Sequence, residues 1–287
     1  MFHFNSNDNI PAAFAATTSA VVVDAVSSAD PPLVDAVAVT SADPPLAVDI
    51  EYEAIPKLLF VDMQQEDEEK VAAAVSSFAD NFAASNANTQ VNKDQATSLG
   101  AIAIILLLMR KWHYNRSIQC HGCSVLGRLI VSNGRLPCVY CSNPTPAVSI
   151  IKSGGIETIT AAMKSFPDHD KIQSYGCTAI GNAFYYTNPT IDKAMACFVH
   201  KLDGIELVVL TMKKFPMNVS VQYCCCYVLN QLSKKQVLRD ALMRGSALSA
   251  VGEATEKHAT DKDLGNKLHS MAAVFFENMF QNKKRKC

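Results

Sequence analysis

The chain lacks the features that mark a secreted or membrane-spanning protein. No lysine or arginine precedes Lys57 in its 287 residues, whereas secretory signals and mitochondrial transit peptides carry early basic residues. Its longest apolar run, near residues 99–109, is too short to cross a bilayer. The sequence therefore predicts a protein of the cytoplasm or the nucleus, with no membrane partner.

The motifs of several large enzyme classes are also missing. The sequence contains no phosphate-binding loop, no dinucleotide fingerprint and no His-Glu-x-x-His motif. Its acidic residues are not paired at matched helical positions, and no Ser-His-Asp arrangement is evident. We therefore expect neither an enzyme nor a bound cofactor.

Charge is divided unevenly along the chain. Residues 1–70 contain 13 acidic and two basic residues, a net charge of −11, and the remainder is net +10. Residues 1–55 are built mainly from Ala, Val, Ser, Asp and Pro, and the sequence of 28–33 returns at 41–46. This composition predicts a disordered acidic tail over 1–70. Whether that tail competes with ligands for the basic remainder stays open.

One block of sequence occurs three times in the same register. Residues 156–177 return 49 positions later and also occur 54 positions earlier, without gaps inside the block. Apolar side chains recur at i, i+3, i+4 and i+7, which predicts two helices in each copy. In the middle copy the first stripe is Ile156, Ile159, Thr160, Met163 and Phe166. A fixed period of this size predicts stacked units that bury their apolar faces on one another.

Shorter elements complete each unit. Short helices are predicted over 146–152 and 189–199, a further helix over 71–84, and a weaker fourth unit over 237–279. Pro167 and Pro216 are expected to end the first helix of their copies, and a different turn is expected after Trp112, where proline is absent. A small residue in each second helix, at Gly122, Gly176 and Cys225, is expected to allow close helix packing.

The pattern resembles the armadillo repeat. The resemblance is carried by residues 151–157, Ile-Lys-Ser-Gly-Gly-Ile-Glu, followed by 172–182, Ile-Gln-Ser-Tyr-Gly-Cys-Thr-Ala-Ile-Gly-Asn. It covers residues 71–280 and is followed by a basic tail over 281–287. It implies an all-α fold, a right-handed α-solenoid of about four armadillo-like three-helix repeats behind a disordered N-terminal tail. It also implies a concave groove, lined by the third helices, that holds extended peptides.

The resemblance further implies residues for that groove. Family members carry an asparagine late in the third helix, whose amide clamps the backbone of the peptide; an amide offers both a donor and an acceptor. Asn182 holds this position here, and Arg128 and Gln231 hold it in the other copies. The family's tryptophan, four residues earlier, is replaced throughout, so recognition of basic signals is not expected. The replacements are Ser124, Thr178 and Tyr227.

The predicted function is a non-catalytic protein–protein interaction scaffold that binds an extended peptide, with the oligomeric state left open. His121 and Tyr175 are expected beside the groove positions, and Arg128 favours an acidic ligand over a basic one. The full predicted site is Arg128, Asn182, Gln231, Tyr227, Thr178, Ser124, Tyr175 and His121.

Two alternatives remain beside the scaffold. Cys120-x-x-Cys123 followed by Cys138-x-x-Cys141 has the spacing of a four-cysteine zinc site, although Cys123 aligns with core cysteines of the other copies. Nucleic acid is the other candidate partner, bound through basic residues of the turns and of the basic tail. Those residues are Arg110, Lys111, Lys213, Lys214, Lys283, Lys284, Arg285 and Lys286.

Overall fold

The computed structural model describes residues 66–82, 87–131 and 145–281, without the side chains of 87–92 and 145. Within these ranges the regular structure is helical and contains no strand, so the predicted all-α class is confirmed. The helices are α1 (Glu68–Asp80), α2 (Ala87–Ser98), α3 (Ala101–Lys111), α4 (Arg116–Ile130), α5 (Thr145–Lys152), α6 (Gly155–Ser165), α7 (Asp170–Ala183), α8 (Pro189–His200), α9 (Gly204–Lys214), α10 (Val219–Ser233), α11 (Gln236–Arg244), α12 (Ala247–Lys257) and α13 (Leu264–Phe280).

The start of α1 is set by a side-chain cap. Asp67 Oδ1 accepts hydrogen bonds from the backbone amides of Glu69 (3.1 Å) and Lys70 (3.2 Å). The Lys70 amide bond is the main cause that lowers the pKa of the Asp67 carboxyl. Acidic residues at 68 and 69 complement the helix dipole. The helix predicted from residue 71 therefore begins three residues earlier, at Glu68. Residues 1–65 of the predicted tail lie outside the described residues.

The three copies of the repeated block give three helix pairs, α3 and α4, α6 and α7, and α9 and α10. The first helix of each pair ends at an aromatic C-cap residue, Trp112, Phe166 or Phe215, with φ between −109° and −125° and ψ between 52° and 60°. The aromatic carbonyl then accepts a hydrogen bond from the amide three residues later. The expected difference after Trp112 was wrong, because this hydrogen-bonded turn forms without proline.

A buried glutamine holds each of these turns in place. Gln119, Gln173 and Gln222 each donate Nε2 hydrogen bonds to two carbonyls at the end of the preceding helix, at 2.8–3.0 Å. The carbonyls belong to the methionine and the aromatic residue of the same copy: Met109 and Trp112, Met163 and Phe166, Met212 and Phe215. Carbonyls at a helix end lack intrahelical partners, so the glutamine pairs with the methionine carbonyl and adds a second hydrogen bond to the aromatic carbonyl.

A left-handed backbone residue precedes the first helix of each pair, and a fourth precedes α12. The four are Gly100 (φ 82°), Gly154 (φ 73°), Asp203 (φ 53°) and Ser246 (φ 57°). Glycine adopts this conformation without steric cost, whereas aspartate and serine adopt it less readily. The same left-handed backbone state therefore precedes α3, α6, α9 and α12.

The longest helices of successive units pack side by side. α1 contacts α4, α4 contacts α7, α7 contacts α10, and α10 contacts α13; we call this series the helix row. Close packing inside the units is confirmed at the small residues, since a Cβ on Gly122 would lie 2.6 Å from Met109 Sδ and one on Gly176 would lie 2.7 Å from Met163 Cγ. A single buried apolar cluster extends through the helices from Val71 to Met279.

Candidate functional site

The helix row presents one partly open face on α4, α7 and α10. Corresponding positions on the three helices contribute the side chains, because the repeat register is shared. Those that are half-buried are His121 and Arg128 on α4, Ser174, Tyr175 and Thr178 on α7, and Tyr223 and Cys224 on α10. Exposed polar residues continue the face toward the helix starts: Arg116, Ser117, Asp170, Lys171 and Ser220. Aromatic and hydrogen-bonding groups therefore run across three adjacent helices.

The predicted groove residues divide into two groups by exposure. Arg128, Thr178, Tyr175 and His121 are half-buried and lie at the row surface. The other four are buried: Ser124, Asn182, Tyr227 and Gln231. Asn182 and Gln231 are each only 2% exposed, which places their amides beneath the surface rather than on it.

The asparagine and arginine that were predicted to face a ligand make internal contacts. Asn182 Nδ2 donates to the carbonyl of Gly127 at 3.0 Å, which ties α7 to α4. Arg128 donates from Nη1 to the carbonyl of Phe82 (2.9 Å) and from Nε to Ser124 Oγ (3.1 Å). In this arrangement both side chains stabilise the contact between neighbouring helices of the row. Their roles toward a peptide stay predictions.

A cluster of tyrosines lies between the ends of α7 and α10. Tyr227 packs its ring on Gly181, and its buried hydroxyl has no hydrogen-bond partner among the described residues. Burial, with Tyr185 as the next cause, raises the pKa of Tyr227 well above its usual range. The ammonium group of Lys234 lies 5.2 Å from the ring centroid of Tyr185 and also donates to Gln231 Oε1 at 2.7 Å. Burial lowers the pKa of Lys234.

A cavity of about 510 Å³ opens where α4 and α7 begin, and we call it the α4–α7 cavity. Its lining contains no Asp or Glu, and its polar residues are Tyr114, Arg116, Ser117, His121, His169, Lys171 and Tyr175. Burial is the main cause that lowers the pKa of His121; Asp80 opposes this effect and Lys171 adds to it. This cavity was missed from sequence, although comparison of residues 114–121 with 168–175 shows the change in charge that creates it.

A second cavity, of about 630 Å³, lies between α6 and α9. Leu207 and Leu210 contribute apolar surface, and the charges of both signs around them are partly paired with each other. Lys164 Nζ lies 3.8 Å from Asp203 Oδ2, and Lys214 forms an ion pair with Asp168. The mixture of signs gives this cavity no strong preference for a charged ligand.

Half of the predicted zinc site can be located. Cys120 and Cys123 are buried free thiols on α4, whereas Cys138 and Cys141 lie outside the described residues. Burial raises the pKa of both described thiols, which disfavours the thiolate that binds zinc. Within the described ranges, no group of three or more His, Cys, Asp or Glu side chains is placed to hold a metal ion. Zinc binding stays an untested alternative.

The basic residues considered for nucleic acid are dispersed, and three have partners within the chain: Lys214 pairs with Asp168, and the other two are Arg110 and Lys111. Arg110 donates to the carbonyls of Ser153 and Gly154 and to Thr158 Oγ1, so it joins α3 to the start of α6. Lys111 lies over the Trp112 ring, 4.2 Å from its centroid. The basic tail falls outside the described residues from 282 onward. None of the helices in the described ranges is long and apolar enough to cross a membrane.

Comparison with known proteins identifies distant similarity. No family model matches the chain. Protein aardvark of Dictyostelium discoideum is 29% identical over 154 residues, which are 51% of this chain and 19% of that protein. The chain thus covers about a fifth of the length of this relative. Among solved structures, an engineered protein of the Northeast Structural Genomics Consortium matches with a TM-score of 0.56 at 15% identity, covering 79% of this chain and 98% of that one. That likeness concerns the fold alone.

Proposed function

We propose that this chain is a non-catalytic scaffold for protein interaction, an armadillo-like solenoid of about four three-helix units that binds an extended peptide segment along the helix row. The observation that carries the proposal is the open face shared by α4, α7 and α10. Equivalent positions place His121, Tyr175 and Cys224 side by side on three packed helices. A surface repeated in this way matches a ligand that is itself extended.

The solenoid part of the proposal is supported by the recurrence of local structure. The glutamine that caps a helix end, the turn at the aromatic residue and the left-handed residue before the bend all recur at the repeat spacing. Each helix of the row also contacts the equivalent helix of the next unit. Units that repeat their contacts with one neighbour on each side stack in one direction, which is the defining property of a solenoid.

The direct contacts with the peptide are assigned to the more exposed predicted residues. His121, Tyr175 and Thr178 offer ring surface and hydrogen-bonding groups, and tyrosine contributes large contact area at low conformational cost. Asn182 and Gln231 support this surface from below through their buried amides. An acidic segment suits the part of the row at the start of α4 and α7 best, because Arg116 and Lys171 are exposed there.

Site-specific photocrosslinking tests the proposal. A benzophenone amino acid is placed at Tyr175 or Tyr223 in the full chain, and cross-linked peptides are identified from an extract of the native cell. We expect both positions to react with the same short segment of one partner. Leu107 and Leu210 are matched controls, because they are exposed apolar residues on α3 and α9, outside the helix row.

A synthetic peptide of the captured segment then measures affinity by fluorescence anisotropy. We expect Tyr175→Ala to weaken binding roughly tenfold or more, as for an interface tyrosine, and Leu210→Ala to leave it unchanged. Cross-links that arise only at Leu107 or Leu210, or equal affinities of the two alanine variants, would contradict a binding surface on the row.

A further inference from the structure

The α4–α7 cavity has the charge of an anion site. Arg116 and Lys171 stand on its wall, one from each helix, and no carboxylate lines it. Among the described residues, neither cation takes part in a salt bridge. Two cations that share a cavity without a counter-ion favour a ligand of negative charge.

Three carboxylates surround the cavity: Asp80 acts on the charge of His121, and Glu68 and Asp170 are hydrogen-bonded to other groups. Glu68 accepts hydrogen bonds from Tyr114 Oη (2.9 Å) and Asn115 Nδ2 (2.6 Å). Asp170 accepts from Asn218 Nδ2 at 3.2 Å and from its neighbouring amide at 2.7 Å. These contacts direct both carboxylates to neighbours other than Arg116 and the ammonium of Lys171.

The cavity also carries neutral hydrogen-bond donors. His169 Nδ1 accepts from the amide of Ile172 at 3.2 Å, so the neutral ring carries its proton on Nε2 and can donate from there. Ser117 and Tyr175 add hydroxyl groups to the same lining. A tetrahedral anion with three or four oxygens uses such a set of donors more fully than a planar carboxylate.

The equivalent place between α7 and α10 carries different residues at the positions that line the α4–α7 cavity. In the repeat register, Asp168 and Asp170 replace Tyr114 and Arg116. Asn218 and Ser220 replace His169 and Lys171. The charge at the start of α7 and α10 is therefore reversed, and Asp168 is paired with Lys214. The anion preference belongs to one position in the row and not to the repeat as such.

We propose that the α4–α7 cavity binds the phosphoryl group of a phosphoserine or phosphothreonine in the segment bound along the helix row. This inference rests on the proposed function, since the segment delivers the phosphoryl group. Arg116 and Lys171 neutralise its charge, and His169 Nε2 and Ser117 Oγ donate hydrogen bonds to its oxygens. The partner is thereby a protein whose affinity for this chain rises on phosphorylation.

Histidine signals test the site directly. The chain contains seven histidines, and their ring signals in the full chain are assigned by single His→Gln replacements. The probes are inorganic phosphate and the capped residues N-acetyl-phosphoserine, N-acetyl-serine and N-acetyl-glutamate methylamide. We expect saturable shifts of His121 and His169 with the two phosphate probes, weaker effects with glutamate and none with serine. His258 and His269, in the last unit, serve as internal controls.

Charge-removing variants locate the effect. Arg116→Gln and Lys171→Gln are each expected to weaken phosphoserine binding about tenfold, the size of one charge-assisted hydrogen bond. Lys111→Gln with Lys213→Gln removes the same charge elsewhere and is expected to change nothing. Unchanged affinity after the paired loss of Arg116 and Lys171, or no saturable shift of His121 and His169, would overturn the site.

The cross-linked segment separates this inference from the proposed function. Its synthetic peptide is compared with and without phosphate, and phosphorylation is expected to raise affinity at least tenfold only while Arg116 and Lys171 are present. If the peptide binds equally well without phosphate, the phosphoryl site is wrong and the scaffold stands. If the capped phosphoserine binds but no segment binds the row, the scaffold and the peptide-borne ligand are both overturned, and the cavity is a site for a free phosphate ester.

Discussion

Thr211 Oγ1 donates a hydrogen bond of 2.8 Å to Gln173 Oε1, and this buried contact joins α9 to α7 across the boundary between two copies of the repeat. Gln173 Nε2 also donates to the carbonyls of Met163 and Phe166, so both the nitrogen and the oxygen of its side-chain amide are hydrogen-bonded. The residues aligned with Thr211 are Leu108 and Ala162, which carry no hydroxyl. One glutamine therefore fixes the end of α6 and the approach of the next unit together.

Replacement of this glutamine is expected to be costly. Gln173→Leu removes the hydrogen bonds of the glutamine to the Met163 carbonyl and the Thr211 hydroxyl, and it leaves the Phe166 carbonyl with only the amide of His169. We expect the free energy of unfolding to fall by about 2–4 kcal/mol. Urea unfolding followed by circular dichroism measures the change. Gln236→Leu is the control, because Gln236 is exposed at the start of α11. Equal stabilities of the two variants would show that the amide contacts contribute little.

Alanine substitution at two helical glycines, Gly181 and Gly252, is expected to change the stability of the fold in opposite directions. A Cβ on Gly181 would lie 2.6 Å from Tyr227 Cε1, whereas a Cβ on Gly252 meets nothing within 4 Å. Gly181→Ala should destabilise by about 1–3 kcal/mol through overpacking. Gly252→Ala should stabilise by up to about 1 kcal/mol through helix propensity. Thermal unfolding of both variants tests this, and a change of the same sign in both would contradict the packing at Tyr227.

The hydroxyl of Tyr227 is expected to lower the stability of the fold. It is buried and has no hydrogen-bond partner among the described residues, so folding removes it from water without replacing its hydrogen bonds. Tyr227→Phe should raise the free energy of unfolding by up to about 1 kcal/mol. A loss of stability, measured by urea unfolding, would mean that the hydroxyl has a partner. Tyr175→Phe, at a half-buried position on the row, is the comparison.

The thiols of α10 are expected to resist alkylation. Burial raises the pKa of Cys224 to about 12 and also raises that of Cys225 and Cys226. Since the thiolate is the reactive form, its fraction at Cys224 near pH 8 is about one in ten thousand, and labelling by iodoacetamide should accelerate about tenfold per pH unit between pH 7 and 10. Mass spectrometry of the folded chain gives the rates, and the same reaction in urea is the control. Rapid labelling of Cys224 in the folded chain at pH 7 would contradict its burial.

The helices could be predicted because their signal is local. Apolar spacing and the two prolines located α6, α7, α9 and α10, and the short helices at 145–152 and 189–200 were located by proline and glycine. α2 was missed, because its sequence Ala-Asn-Thr-Gln-Val-Asn-Lys-Asp-Gln-Ala-Thr-Ser has no apolar stripe. Its contact with α3, the burial of Ala96 and the hydrogen bond from Lys93 to the Val131 carbonyl show that this polar segment belongs to the helical body.

The candidate site was harder to predict, because exposure depends on neighbours that are distant in sequence. The repeat register gave the correct helices but not the depth of each side chain. Asn182 lies beneath the surface because its amide reaches Gly127, 55 residues earlier. The α4–α7 cavity combines Arg116 with Lys171, and only the packing of α4 on α7 brings those two charges to one wall.

Arg110 and Arg128, described above, and Lys93 on α2 each donate to carbonyls at the end of a helix elsewhere in the chain. Arg110 reaches Ser153 and Gly154, Arg128 reaches Phe82, and Lys93 Nζ reaches the carbonyl of Val131 at 2.7 Å. Because these three cations are hydrogen-bonded to carbonyls of the protein itself, the net charge of +10 over residues 71–287 overstates the positive charge that is available to a polyanion. Because association with nucleic acid releases one counterion for nearly every phosphate neutralised, any such association through the described helices should depend on salt less steeply than the sequence alone implies.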